Sequence, residues 1–333
     1  EEEYLKLPLI QSSLSGDGSF TRKSELFIKK KHKFKNCLLT NSCTSALEIS
    51  AILSNINRGD EIIMPSYTFV STANAFILRG GKPVFIDIKK ETMNIDENLI
   101  EKAITKKTKC IVVVHYAGFS CDMDIVANIA KENNLILIED AAQAISSKYK
   151  NKFLGSIGDL ATYSFHQTKN IHCGEGGALL INKEKYLRRS KIIREKGTNR
   201  KDFMEGKINK YEWVDLGSSY LPSELQAAFL YSQLMNLDDV TSLRLNIWEK
   251  YHYSFESLES EGKLIRPKVP KYNTNNAHMY FLILKSKKMR DCFIKDMKKF
   301  SIQCTSHYVP LHSTNFGKNF ITKKTNLKNT ELL

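Results

Sequence analysis

A series of short apolar runs, separated by segments with helical periodicity, constrains the fold more than any other feature of this sequence. The apolar runs have the length of strands and cover residues 61–64, 84–88, 110–114 and 135–139. The segments with apolar residues at helical spacing cover residues 44–54, 95–104 and 124–132. Strands that are apolar throughout are buried on both faces, which is typical of a parallel sheet flanked by helices. The pattern predicts an α/β fold with a large, mostly parallel sheet.

The second half of the chain first continues this pattern and then departs from it. Two more strands are predicted at residues 155–165 and 177–182, and their short connection allows an antiparallel or edge arrangement. Helices are predicted at residues 183–195, 223–235 and 237–260. After Pro267 and Pro270, the pattern predicts a strand at 279–284, a helix at 289–300 and a strand at 304–309. We therefore expect a small α+β domain at the C-terminal end.

The 333 residues suffice for one large domain and one smaller domain. We expect residues 1–235 to form the large domain, with residues 1–35 packed on it. Residues 236–333 are expected to form a connecting helix and the small C-terminal domain. The chain begins at Glu1, without Met, and stops at Leu333 without a recognisable end signal. We therefore expect a fragment in which the small domain is truncated.

Charge and cysteine content argue against several classes of protein. The net charge is +14, but the lysines are scattered, which favours a solvated surface or attraction of anionic substrates over nucleic-acid binding. The seven cysteines include no CxxC pair, so we expect reduced thiols and no metal site. The longest apolar runs are too short to cross a bilayer, and no cleavable leader opens the sequence. We expect a cytoplasmic protein without a membrane partner.

Two charged residues at predicted strand ends stand out as candidates for catalysis. Lys169 follows a predicted strand in a polar turn, and a lysine amine becomes a competent nucleophile when it is desolvated. Asp140 ends the apolar strand before it, at the edge where ligands bind in open α/β sheets. A buried carboxylate there needs a cationic partner, and a protonated pyridine nitrogen is one. The alternatives are a surface lysine and an aspartate that caps a helix.

Two further elements are consistent with the same flat, phosphorylated ligand. Thr44 and Ser45 precede an amphipathic helix, where backbone N–H groups and the helix dipole favour a phosphate. Phe69 lies just past a predicted strand, where its ring can stack on a cofactor. Ordinary helix capping and a core aromatic are the respective alternatives. The order of phosphate turn, aromatic ring, aspartate and lysine along the chain makes the combination more specific than any of its parts.

Five stretches carry a resemblance to a known family. They are MPSYTFVSTANAF at 64–76, VHYAG at 114–118, EDAAQ at 139–143, SFHQTKN at 164–170 and IREKGTNR at 193–200. The chain resembles the DegT/StrS-type nucleotide-sugar aminotransferases, a branch of the fold-type I pyridoxal 5'-phosphate (PLP) enzymes. The resemblance runs from about residue 16 to His312. It implies a large PLP-binding domain and a small C-terminal α+β domain.

The resemblance also implies roles for individual residues. Lys169 would hold PLP as a Schiff base, and Asp140 would pair with the pyridine nitrogen as the second catalytic residue. Gln143 would lie near the ring oxygen and Phe69 would stack on the ring. The phosphate would be held by Thr44, Ser45 and Ser164. The family forms homodimers in which a partner loop reaches the cofactor. Here that loop would surround Gly217, with Ser219 and Tyr220 as candidates, although many relatives have Asn-Tyr-Arg-Met where this chain has residues 219–222.

The expected substrates follow from the resemblance as well. They are L-glutamate as amino donor and a dTDP-linked 4-keto-6-deoxy sugar as acceptor, in cell-surface polysaccharide synthesis. Arg200, Lys196 and His307 are candidate contacts for the sugar diphosphate. A 3-keto or UDP-linked sugar is the alternative acceptor, and a PLP-binding regulator is the non-enzyme alternative. A related dehydratase branch has His in place of the Schiff-base lysine, so Lys169 favours transamination.

Overall fold

A mixed seven-stranded sheet forms the centre of the protein in a computed structural model that describes residues 1–10, 14–321 and 326–332. Along the chain the strands are β1 (Asn36–Thr40), β2 (Glu61–Pro65), β3 (Lys82–Ile86), β4 (Thr108–Val114), β5 (Ile136–Asp140), β6 (Lys148–Tyr149), β7 (Lys152–Phe153), β8 (Leu160–Ser164), β9 (Gly177–Ile181), β10 (Leu264–Ile265), β11 (Asn273–Thr274) and β12 (Ile283–Leu284). The spatial order of the central sheet is β1-β9-β8-β5-β4-β2-β3. The five strands from β8 to β3 are parallel, as predicted.

The antiparallel part of the sheet lies at its other end. Strand β9 pairs antiparallel with both β8 and β1, which confirms the antiparallel option predicted for residues 177–182. The edge option is wrong, because β1 pairs along the outer side of β9 and takes the edge position. The strand predicted at 155–165 is too long. It is formed only by Leu160–Ser164, after a small hairpin of β6 and β7.

Helices cover both faces of the sheet. They are α1 (Glu2–Ile10), α2 (Ser19–His32), α3 (Cys43–Leu53), α4 (Val70–Ile77), α5 (Ile100–Ala103), α6 (Met123–Glu132), α7 (Leu187–Arg194), α8 (Arg200–Met204), α9 (Glu224–Met235), α10 (Leu237–Ser254), α11 (Glu256–Ser260), α12 (Lys287–Lys299) and α13 (Lys328–Glu331). The helix predicted at 95–104 is wrong in extent. Asp96 accepts the Asn98 N–H and starts a 3-10 turn, so the α-helix begins only at Ile100.

Two apolar clusters on opposite faces of the sheet explain the continuous apolar runs. In β4, Ile111 and Val113 belong to one cluster, whereas Cys110 and Val112 belong to the other. Successive side chains of a strand point to opposite faces, so a strand covered on both sides is apolar at every position. Burial of each such aliphatic side chain contributes about 1.5–3 kcal/mol.

The N-terminal residues are attached to the large sheet domain by buried charges. The Glu224 carboxylate accepts hydrogen bonds from the backbone N–H groups of Gly18, Phe20 and Thr21 at 3.0, 2.7 and 3.0 Å. A Cβ atom on Gly18 would lie 2.4 Å from this carboxyl carbon, so the contact needs glycine. Arg194 belongs to the IREKGTNR stretch and is buried. Its guanidinium likewise forms ion pairs with two carboxylates of the N-terminal segment, those of Asp17 and Glu25.

The C-terminal part departs most from the predictions. The strand predicted at 279–284 is reduced to Ile283–Leu284, and the helix predicted at 237–260 is interrupted at Phe255. The strand predicted at 304–309 is wrong, because these residues form no ladder. Instead, the Tyr67 hydroxyl donates to the backbone oxygen of His307, which draws this segment towards the carboxyl end of β2. The division into two domains at residue 235 stays a prediction.

Three observations bear on membranes, metals and thiols. In the described ranges, no helix is both long and apolar enough to pass through a bilayer. Within the same residues, no three His, Cys, Asp or Glu side chains are grouped as metal ligands. All seven cysteines are free thiols.

Candidate active site

The candidate catalytic residues meet at the carboxyl edge of the parallel strands. Asp140 is the last residue of β5, and Lys169 lies in the loop that follows β8. Strands β5 and β8 are neighbours, with Asp140 opposite Thr162. The loop after β2 brings Phe69 to the same edge, at the start of α4. The structure therefore brings together residues that the sequence placed in separate segments.

Asp140 is a buried carboxylate with few compensating contacts. Its side chain is 5% exposed and accepts hydrogen bonds from Thr72 Oγ1 at 2.7 Å and from the Ala142 N–H at 3.2 Å. Burial raises its pKa, while the Thr72 hydrogen bond acts in the opposite direction. A carboxylate in this state is stabilised by any cation that enters the cavity.

Lys169 is the charged group that complements it. Burial lowers the pKa of its amine, although the nearby Cys43 thiol and Asp140 carboxylate act in the opposite direction. The charges of Lys169 and Asp140 therefore influence each other. They are nevertheless not joined by an ion pair, and neither forms an ion pair with another group in the part of the chain that the structure describes.

The turn before α3 has the geometry of a capped helix start. Ser42 is the N-cap, and its hydroxyl accepts the Ser45 N–H at 3.0 Å. Ser45 Oγ donates to Asn41 Oδ1 at 2.6 Å, and Thr44 Oγ1 lies 2.8 Å from Ser71 Oγ. The predicted capping is thus present, but Ser42 performs it. Thr44 and Ser45 remain in the first turn, where an anion is favoured by the helix dipole.

Three other predicted residues lie around Lys169 and Asp140. Phe69 is 56% exposed, so it is not a core aromatic, and its ring can accept a stacking partner. Gln143 accepts the Ala117 N–H at 2.7 Å and donates to the Tyr308 hydroxyl at 3.1 Å. Ser164 ends β8, and its buried hydroxyl accepts the His166 N–H at 3.4 Å. The arrangement leaves an aromatic face, an amide and a hydroxyl around the Lys169–Asp140 pair.

The sequence missed an aromatic cluster at this edge. Tyr308 contacts Gln143, and its ring centroid lies 6.2 Å from Phe69 and 5.8 Å from Tyr67. Tyr116 lies 5.3 Å from Tyr67 and 6.2 Å from Tyr308 by the same measure. These residues come from three distant segments, so no local pattern marks them. The available signals were the stretches at 64–76 and 114–118, which contain Tyr67, Phe69 and Tyr116.

The three candidate diphosphate contacts have separate environments. Burial and the charge of Lys169 lower the pKa of His307, so this ring is neutral near pH 7 and offers a hydrogen bond rather than a charge. The Arg200 guanidinium forms an ion pair with Glu195 at 3.2 Å. Lys196 adopts a positive φ of 65° and donates its backbone N–H to Ser218 O. Contact of these residues with a diphosphate stays a prediction.

The loop around Gly217 lies beside the phosphate turn of its own chain. Asn41 donates its backbone N–H to Tyr220 O at 2.8 Å and its side-chain amide to Ser219 O at 3.2 Å. The Tyr220 hydroxyl donates to Glu48 of α3 at 3.0 Å. The predicted contact of Ser219 or Tyr220 with a partner's cofactor remains a prediction.

Curated proteins resemble this chain over most of its length. The uncharacterized protein MJ1066 of Methanocaldococcus jannaschii is 37% identical, covering 94% of this chain and 82% of its own. Spore coat polysaccharide biosynthesis protein SpsC of Bacillus subtilis is 35% identical over 88% and 75%. GDP-perosamine synthase of Escherichia coli O157:H7 is 32% identical over 78% and 69%.

The fold comparison and the family comparison agree. The aminotransferase from Psychrobacter cryohalolentis superposes with a TM-score of 0.92 at 25% identity, covering 99% of this chain and 88% of that one. The model of the DegT/DnrJ/EryC1/StrS aminotransferase family matches residues 4–333. Aminotransferases of this family depend on PLP, and solved structures of this fold include a PLP form and a PMP form. The chain belongs to the DegT/DnrJ/EryC1/StrS family of PLP-dependent sugar aminotransferases.

Proposed function

We propose that this enzyme transfers the amino group of L-glutamate to dTDP-4-dehydro-6-deoxy-D-glucose, the reaction of dTDP-4-amino-4,6-dideoxygalactose transaminase. The observation that carries the proposal is the Lys169–Asp140 pair at one sheet edge. Asp140 is buried, Lys169 is partly buried, and neither forms an ion pair among the described residues. A cofactor with an aldehyde at one side and a basic ring nitrogen at the other fits this pair.

The residues present fit PLP. The Lys169 amine would form a Schiff base with the cofactor aldehyde, and the Asp140 carboxylate would accept the pyridine N–H. The α3 start, with Thr44 and Ser45, would hold the phosphate together with Ser164. Phe69 would cover one face of the ring, and Gln143 would lie beside its hydroxyl. When bound, PLP supplies a protonated ring that stabilises negative charge on the carbon that exchanges its proton.

The protein's own contribution to the reaction is the control of one proton. As a free amine, Lys169 would act as the base of the reaction, and burial lowers the pKa of this amine. A larger fraction of such an amine is unprotonated near neutral pH than of a solvated lysine, so it is available to act as a base. Lys169 Nζ would take the proton from the α-carbon of glutamate and deliver it to a carbon of the cofactor. The aromatic cluster around Tyr308 would exclude water from this exchange.

The acceptor is inferred from relatives and from particular stretches of sequence. GDP-perosamine synthase and SpsC support a nucleotide-linked sugar in polysaccharide synthesis. The residues at 64–76 and 114–118, which supply Phe69, Tyr67 and Tyr116, favour the dTDP-linked 4-keto-6-deoxy sugar. Another nucleotide-linked keto-sugar is the second candidate, because few contacts decide such specificity.

Product analysis tests the acceptor directly. The purified protein with PLP, L-glutamate and dTDP-4-keto-6-deoxyglucose should yield a product whose mass corresponds to replacement of the keto oxygen by an amine. NMR at C4 should show the axial amine of the galactose configuration. Parallel reactions with UDP-linked and 3-keto acceptors serve as controls. Faster turnover with one of these would move the assignment to that sugar, and an equatorial amine would exclude the galactose product.

We also propose a homodimer with shared active sites. The segment before Gly217 exposes a concentration of large apolar side chains, and Trp213 is 80% exposed. The other exposed members are Phe203, Met204, Tyr211, Val214 and Leu216. A patch of this kind is typical of an interface. Analytical ultracentrifugation should give twice the chain mass, and Trp213→Glu should shift the protein towards the monomer. A wild-type monomer at micromolar concentration would contradict the proposal.

A further inference from the structure

A buried hydrogen-bond network adjoins Lys169 through the next residue, Asn170. Asn170 follows Lys169 directly and is buried. Its side-chain Nδ2 donates to the backbone oxygen of Asn276 at 2.7 Å, and its Oδ1 lies 2.9 Å from His278 Nδ1. The residue next to the lysine is therefore tied to a segment more than a hundred positions later in the chain.

The segment that contains His278 is itself firmly held. Asn276 Nδ2 donates to the backbone oxygens of Gln143 and Ile145, both at 2.9 Å, and Asn276 Oδ1 accepts the His278 N–H at 3.1 Å. From α10, Arg244 Nη2 donates to His278 O at 2.8 Å. These contacts join His278 to the loop after β5, which also carries Gln143.

Close packing also restricts this segment. A Cβ atom on Gly118 would lie 2.2 Å from Asn276 Oδ1, so the contact requires glycine there. Ala277 adopts a positive φ of 49°, a conformation that is unfavourable for alanine. Such a conformation persists only where its surroundings determine it, and it is frequent at functional sites.

The contacts define the tautomer of His278. Because Asn170 Nδ2 donates to Asn276 O, the Asn170 atom that faces the imidazole is the amide oxygen, which can only accept. His278 Nδ1 must therefore carry the hydrogen. His278 is 8% exposed, and burial, together with the charges of Lys169 and Arg244, lowers its pKa well below the ordinary value. The ring is neutral, with its single N–H directed at Asn170.

We propose that His278 is a positioning residue for transamination: through its Nδ1–H bond to Asn170, it fixes the backbone that carries Lys169. The inference rests on the proposed role of Lys169. In the proposed reaction, Lys169 would reach the α-carbon of glutamate and then a carbon of the cofactor, so the backbone that carries it must be accurately placed. A displacement of about 1 Å can lower a rate by about a hundredfold. The neutral ring also adds no second positive charge beside the amine.

Variants that keep or remove the Nδ1-type donor test this role. His278→Ala removes the donor, whereas the amide nitrogen of His278→Asn occupies nearly the position of Nδ1 and can still donate to Asn170. We expect kcat to fall roughly 10–100-fold in His278→Ala with KM for glutamate changed less than about threefold. His278→Asn should recover most of the loss. Wild-type kcat in His278→Ala, or no rescue by His278→Asn when both variants melt as cooperatively as wild type, would overturn the inference.

A double-mutant cycle separates the proposed route from simple loss of packing. Because His278 acts through Asn170, adding Asn170→Ala to His278→Ala should lower kcat little beyond the larger single effect. If the losses in kcat of the two single variants multiply in the double variant, the proposed route through Asn170 is overturned. His32→Asn is the matched control, since His32 is also buried, but its ring packs against Phe34, Phe153 and Tyr163 and its Nε2 faces Ser146. Its kcat should equal that of the wild type.

One measurement distinguishes failure of this inference from failure of the proposed function. Borohydride treatment of the wild-type holoenzyme, followed by peptide mass analysis, should place the cofactor on Lys169. Attachment of the cofactor to another residue would refute both the proposed function and this inference. Attachment at Lys169 combined with unaltered kinetics in His278→Ala would remove the inference alone.

Discussion

Lys169→Ala should abolish transamination, with a loss of turnover of at least about 10⁴-fold. The amine has two roles in the proposed reaction, since it binds the cofactor covalently and then transfers the proton. Loss of a positioned acid–base group alone costs about 10²–10⁴-fold, and loss of the covalent link adds to it. Stopped-flow absorbance with L-glutamate measures the first half of the reaction, and the Schiff-base absorbance should be missing from the start.

Two controls make this experiment specific. Lys169→Arg keeps the positive charge near Asp140 but cannot form the Schiff base, so it should be as inactive as the alanine variant. Lys150→Ala removes an exposed lysine that forms an ion pair with Asp124, and it should behave as wild type. Measurable turnover in Lys169→Ala, above the rate of free PLP, would refute the assignment of this residue.

Asp140→Asn should lower kcat by about 10²–10⁴-fold and leave the protein folded. An amide has nearly the shape of the carboxylate but no charge, so it cannot hold the ring nitrogen protonated, and the reacting carbon loses its electron sink. In the proposed site the buried carboxylate also attracts the cofactor ring, so PLP should dissociate more readily from the variant. Equilibrium dialysis measures this affinity, and the two half-reactions can be measured separately.

The hydrogen bond from Thr72 provides a graded version of the same experiment. Thr72→Val removes the hydroxyl that donates to Asp140 at 2.7 Å, while Thr72→Ser keeps it. A hydrogen bond to a charged group contributes about 1.5–3 kcal/mol, so the valine variant should lose roughly 10–100-fold and the serine variant little. Asp140→Asn with wild-type kcat would show that the ring nitrogen has another partner.

Local pattern was a reliable guide where each element is covered on both sides. The apolar run at 110–114 became the centre of β4, because two packed faces require apolar residues throughout. The same approach failed at 95–104, where Asp96 caps a short turn, and at 304–309, where contacts with Tyr67 replace strand pairing. In both places a specific hydrogen bond outweighed the apolar pattern.

The predicted catalytic pair could be identified from sequence for a definite reason. Asp140 ends β5 and Lys169 lies in the loop after β8, and parallel topology brings the ends of these strands to one edge of the sheet. Residues at the ends of separate strands can therefore be expected to lie close together. Phe69, Thr44 and Ser45 follow the same rule. The strands β10 and β12 could not be predicted from the sequence in this way, because they are too short to show a periodic pattern.

The sequence by itself determined the α/β fold class, the family and the residue types at the strand ends, because these depend on local periodicity and contiguous motifs. Only the tertiary structure decided which distant groups contact the residues proposed for the active site. Thr72 meets Asp140 across 68 positions, His278 meets Asn170 across 108, and Tyr308 meets Gln143 across 165. A hydrogen bond between residues so far apart requires only that both side chains reach one point in space, and that condition leaves no pattern in either segment.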